Sequence, residues 1–133
     1  MARIAIAYVA AAAAMAGLDY VWFRWSLKSL YQPALGPLLA DQPNIAAAML
    51  FYVLYVAGIV IFVVWPALRN GSITGAIASG AALGLFAYMT YDLTNMATLK
   101  TWPVTVAVVD IAWGCFITAA SAAASYLAAS RMA

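Results

Sequence analysis

Four long apolar runs, set apart by short polar stretches, organise the chain. They cover approximately residues 4–31, 45–65, 73–97 and 103–128. Each is about 20 residues or longer, the length that crosses the hydrocarbon of a bilayer. The pattern predicts an all-α membrane protein: a four-transmembrane-helix bundle in one domain, residues 1–133. The first run resembles a signal peptide as far as Ala14-Met15-Ala16. Its apolar character continues through Val21, Trp22 and Phe23, however, which reads as a span.

Prolines and small polar residues punctuate the runs. Pro33 predicts an end to the first helix near Tyr31, because an interior proline removes a hydrogen bond and clashes with the preceding turn. The PALGPLLADQP stretch is too apolar for a free linker and reads as a turn with a short interfacial helix between helices 1 and 2. Asn44 is placed to cap the second span. Pro66 is expected to end or kink that span's last turn. Thr101 or Trp102 is expected to cap the fourth span, with Pro103 in its first turn. Gly71, Gly75 and Ser79 form one four-residue ladder of small residues, and Gly80 and Gly84 form another. Gly114, Thr118 and Ala122 repeat the spacing in the fourth run, as do Ser121 and Ser125. Such ladders let helix backbones approach closely in lipid.

Composition agrees. The chain is 68% hydrophobic and 8% charged, with a mean hydropathy of +0.99. It lacks the polar residues to cover a water-soluble globule. A net charge of +2 from scattered basic residues gives no case for nucleic acid. There is no histidine, and the single cysteine, Cys115, lies inside an apolar run as a packing residue. No cofactor motif is present and no metal site is expected, since the usual nitrogen and sulfur ligands are missing. Four spans put both termini on one side of the membrane. Arg3, Arg69 and Arg131 then face Arg24, Lys28 and Lys100 across it, a near tie in which we take the termini as cytoplasmic.

Polar chemistry concentrates in Tyr88–Pro103, which reads YMTYDLTNMATLKTWP. An aspartate at the centre of a membrane helix costs about 2.5–3.5 kcal/mol on insertion scales, so such residues face inward and find partners. By span depth, Asp19, Asp92 and Asp110 fall in the same leaflet, with Tyr52 and Tyr55 at a similar level. Tyr88, Asp92 and Asn95 share a face of the third span, and Asp110, Trp113 and Gly114 share one on the fourth. Arg24, Lys28 and Lys100 lie on the same side and are expected to pair with the acids. Asp19, nearer the interface and with Arg24 close by, is expected to matter less than Asp92 and Asp110.

On the stretches LDYVWF, YDLTNMATLKTWP and VDIAWG the chain resembles, over nearly its whole length, the uncharacterised family of small bacterial membrane proteins known as domain of unknown function 2177. The resemblance implies a bacterial inner-membrane fold and carries no catalytic assignment. On those motifs Asp19, Asp92, Thr94, Asn95, Lys100, Trp102, Asp110 and Trp113 would be its hallmark positions. With Arg24, Tyr52, Tyr55 and Tyr88 they make a candidate pocket for the polar head of a membrane lipid or small amphiphile, bound or transported. Proton-coupled transport would call for a homodimer, because four spans leave little room for a pathway. A lipid-modifying enzyme using Asp and Tyr as acid and base, or a structural subunit of a membrane complex, are the alternatives.

Overall fold

The computed structural model describes residues 1–132 and is all-helical. Helices α1 (Ala2–Leu38), α2 (Ile45–Asn70), α3 (Ile73–Thr98) and α4 (Val104–Ser130) are each long and apolar enough to cross a membrane. They make the expected four-helix membrane bundle.

Helices α3 and α4 form the tightest pair, because glycines remove the side chains between them. A Cβ on Gly80 would stand 3.0 Å from the Ala119 backbone and the Ala122 side chain. A Cβ on Gly84 would stand 2.7 Å from the Gly114 carbonyl carbon. Gly114 in turn receives the ring of Tyr88. The other anticipated ladder does not exist as a crossing. Ser79 is exposed, Gly75 would meet only its own helix's Ser72 cap, and Gly71 ends α2 in a left-handed turn at φ 63°. Helix α1 runs antiparallel to α4 in a steady register. Arg3 Nε donates to Ala129 O at 3.2 Å, Ser125 Oγ donates to Ala7 O at 2.7 Å, and Trp113 Nε1 donates to Asp19.

Neither Pro33 nor Pro66 ends its helix. Helix α1 passes through Pro33 to Leu38 and α2 passes through Pro66 to Asn70. A single π turn precedes each proline, Leu27–Tyr31 in α1 and Val60–Val64 in α2. A π turn widens the hydrogen-bond ladder from i→i−4 to i→i−5 and so relieves the clash that a proline would cause. Residues of the expected interfacial helix are thus a continuation of α1. Regular helix stops at Gly36, with φ 0° and ψ −79°, and a 3₁₀ turn, Gly36–Leu38, follows. Asn44 caps α2 as expected, accepting from Ala47 N at 3.0 Å. Pro103 itself takes the cap position of α4, without a side-chain bond, in place of Thr101 or Trp102.

Helix α2 joins the bundle mainly through its second half. Val56, Ile59, Val60, Val63, Val64, Ala67 and Leu68 are buried, whereas Ile45 through Leu50 are all exposed. Its first half meets the other helices mainly through the half-buried Tyr52 and Tyr55. A cleft therefore opens on each side of it, in the half of the bundle that holds the aspartates.

Candidate functional site

Each intramembrane aspartate meets aromatic donors. Asp19 is 5% exposed and accepts two bonds. Tyr52 Oη donates to its Oδ2, and Trp113 Nε1 donates to its Oδ1 at 2.9 Å. One carboxyl group thus joins α1, α2 and α4. Asp110 accepts from Tyr31 Oη at 2.7 Å. Asp92, fully buried, accepts from Trp102 Nε1 at 3.2 Å. Its other oxygen, Oδ2, is buried with no hydrogen-bond partner, and its neighbour is the Asp110 carboxyl group.

The expected pairing with bases does not occur. Among the described residues no acid forms an ion pair, and the donors to the three aspartates are tyrosines and tryptophans. Arg24 is exposed and lies against Tyr20, 3.5 Å from its hydroxyl and 5.8 Å from its ring. Lys28 and Lys100 are exposed. Long basic side chains can carry their charge away from apolar surroundings towards water and headgroups, which draws them from the level of the acids. The surroundings expected of Asp19 differ: it is the buried junction of three helices, with Tyr52 and Trp113 as partners in place of Arg24.

A cavity of about 480 Å³ lies between the C-terminal part of α1, the exposed half of α2, and the facing ends of α3 and α4. Tyr31, Tyr88, Tyr91, Trp102 and Asp110 give it polar groups, while Phe23, Leu27, Leu35, Leu39, Phe51, Ala87 and Val106 make it apolar. Phe23, Leu27, Phe51 and Tyr91 are also exposed at the surface, so its mouth lies among them. Asp110 is six residues into α4, a depth of about 9 Å at 1.5 Å per residue. A second groove, about 680 Å³, runs on the other side of α2 and is lined by Asp19, Arg24, Tyr52, Tyr8 and Met49 among others.

The candidate residues therefore divide. Tyr88, Trp102 and Asp110 line the first cavity, with Asp92 behind Trp102. Asp19, Arg24 and Tyr52 belong to the second groove. Trp113 stacks on Trp22, with ring centroids 4.5 Å apart and planes 8° from parallel, and bonds Asp19. Tyr55 bonds Thr118 at 2.8 Å, between α2 and α4. Thr94 is outside the site: it is exposed and returns its hydroxyl to its own helix at Thr90 O. Thr90 and Thr98 do the same. Asn95 is half-buried beside Tyr91. Tyr31 and Tyr91, two of the cavity's hydroxyls, are not among the candidates read from the sequence. Tyr31 lies at the end of the span expected from the sequence, and its place on α1 puts its phenol within reach of Asp110.

A family model described as "Predicted membrane protein (DUF2177)" matches residues 4–127. No curated protein and no solved structure matches the chain.

Proposed function

The chain belongs to the DUF2177 family of predicted membrane proteins, and we propose that its cavity holds the polar head of a membrane lipid or small amphiphile, bound or passed between leaflets. The observation that carries this is the cavity itself. Its size, about 480 Å³, falls in the range of small-molecule sites, which are mostly apolar with a few placed polar groups. Asp110 and Tyr31 would meet the head, the aromatic rings would wall it, and apolar side chains of α1 and α2 would flank the tail. Asp92 supports the reading from behind the wall. Its buried Oδ2 lies beside the Asp110 carboxyl group, and two adjacent carboxyls disfavour both being charged, an arrangement that stapling alone would not select. Proton-coupled transport by a homodimer is the active form of this reading. We place the protein in the bacterial inner membrane with both termini in the cytoplasm.

A second reading has one observation in its favour. Tyr31 and Asp110, hydrogen bonded at 2.7 Å on the cavity wall, form a pair of the kind that performs acid–base chemistry on a lipid.

The test is mass spectrometry of lipid retained by the protein in a neutral detergent. Wild type should carry lipid or amphiphile. Ala87→Phe, which puts a ring into the cavity, should lose it while melting near the wild-type temperature, and Asp92→Asn should fold and retain less. Unchanged retention per folded molecule in both variants would sink the proposal and leave the acids as staples of the bundle.

A further inference from the structure

We infer that the cavity selects an amphiphile whose head is an organic cation, an alkylammonium or related onium group, over one with an anionic or uncharged head. The inference rests on the cavity being a ligand site and names the chemistry of its ligand.

The charges around the cavity decide the sign. Asp110 is the ionisable acid on its wall, and among the described residues no arginine or lysine lines it. Asp92 lies one layer behind, with Oδ2 buried and unpartnered. The third acid, Asp19, is taken up by Tyr52 and Trp113. Bases are turned elsewhere. Arg24 lies along the other groove, and Lys28 is exposed. Lys100, though near Trp102 in sequence, is exposed and does not line the cavity. A phosphate or carboxylate head would enter a low-dielectric space facing carboxyl groups and no cation, where like-charge repulsion is strong.

The walls provide what such a cation needs. Tyr31, Tyr88, Tyr91, Trp102 and Phe51 present rings to the space. Tyr91 and Trp102 meet at 89° with centroids 5.5 Å apart, so their planes form a corner. Onium groups are held by such aromatic surfaces through the negative faces of the rings. The cation needs no hydrogen bond to bind there, which fits a Tyr31 hydroxyl and a Trp102 indole already given to carboxyl oxygens.

Two ions of equal shape and opposite charge test this: tetraphenylphosphonium and tetraphenylborate. Binding to the full chain in dodecyl maltoside is followed by calorimetry against protein-free micelles, and by tryptophan fluorescence. The phosphonium should bind at least about tenfold more tightly than the borate. Asp110→Asn should remove most of that preference. Tyr91→Leu, at an exposed position, should weaken phosphonium binding about threefold or more, which keeps the test decisive if Asp110→Asn does not fold. Arg24→Gln should change neither. Equal binding of the two ions, tighter binding of the borate, or indifference to Tyr91→Leu overturns the inference. If neither ion binds while Ala87→Phe still sheds co-purified lipid, the cation inference falls and the lipid cavity stands. If neither binds and Ala87→Phe sheds nothing, both fall.

Discussion

Adding a single methyl group at Gly84 tests the packing on which everything else rests. The new Cβ would lie 2.7 Å from the Gly114 carbonyl carbon and 2.8 Å from Thr118 Oγ1, and closer still to the Gly114 carbonyl oxygen. Carbon contacts are comfortable at 3.5–4.0 Å, so α3 and α4 must part by roughly 1 Å. Backbone is on the other side of the contact, and no rotamer change relieves it. A gap of that size forfeits a quarter to a half of each dispersion contact along the crossing. Overpacking of this kind typically costs about 1–3 kcal/mol. Better helix propensity returns at most about 1 kcal/mol. Gly84→Ala should therefore destabilise by about 1–2 kcal/mol, and Gly84→Leu by more. Gly17→Ala is the control, because a Cβ there meets nothing within 4 Å. The assay is unfolding in mixed micelles, read by tryptophan fluorescence. Gly84→Ala as stable as Gly17→Ala would show that the two helices do not cross at these glycines.

The remaining predictions concern the acids and the topology. Asp19→Ala should cost about 3–5 kcal/mol, because it strands two buried donors, Tyr52 Oη and Trp113 Nε1; Asp19→Asn, which keeps one acceptor oxygen, should cost roughly half as much, and a wild-type melting curve for Asp19→Ala would contradict the junction role. In a Cys115→Ala background, cysteines introduced at positions 71 and 131 should label from one face of intact membranes and those at 36 and 101 from the other; disagreement between 71 and 131 would end the four-span reading.

What the sequence showed well was local. The α3–α4 crossing follows from glycines four residues apart and a short loop, and both are visible in one dimension. The Asn44 cap is an interaction over three residues. Four helices follow from hydropathy alone. Pro33 does not end α1, because a proline's effect depends on the turn before it. A π turn is a small change of register that no residue type announces, and it let α1 extend through Tyr31 to Leu38. With the helix ended near Tyr31, the cavity-lining residues Leu35 and Leu39 fall outside the expected span.

The partners of the acids were misread for a different reason, which bears on function. Counting charges made Arg24, Lys28 and Lys100 look like counterions, as they would be in water. In a bilayer the long basic chains gain most at the interface, and phenol and indole groups carry donors at depth without a formal charge. The acids then differ by what those donors leave over. Asp19 has a donor on each oxygen and serves the fold. Asp92 has one donor and one bare oxygen, and Asp110 has one donor and a place on the cavity wall. Thr94 makes the complementary point. It lies in the most polar stretch of the chain, yet its hydroxyl is satisfied by Thr90 O and its side chain is exposed. In lipid a hydroxyl that can bond its own helix needs no pocket, while an aspartate cannot hide in this way. What the donors leave to each carboxyl group, taken with its place against the cavity, is therefore a better guide to the site than polarity, and together they point to Asp92 and Asp110.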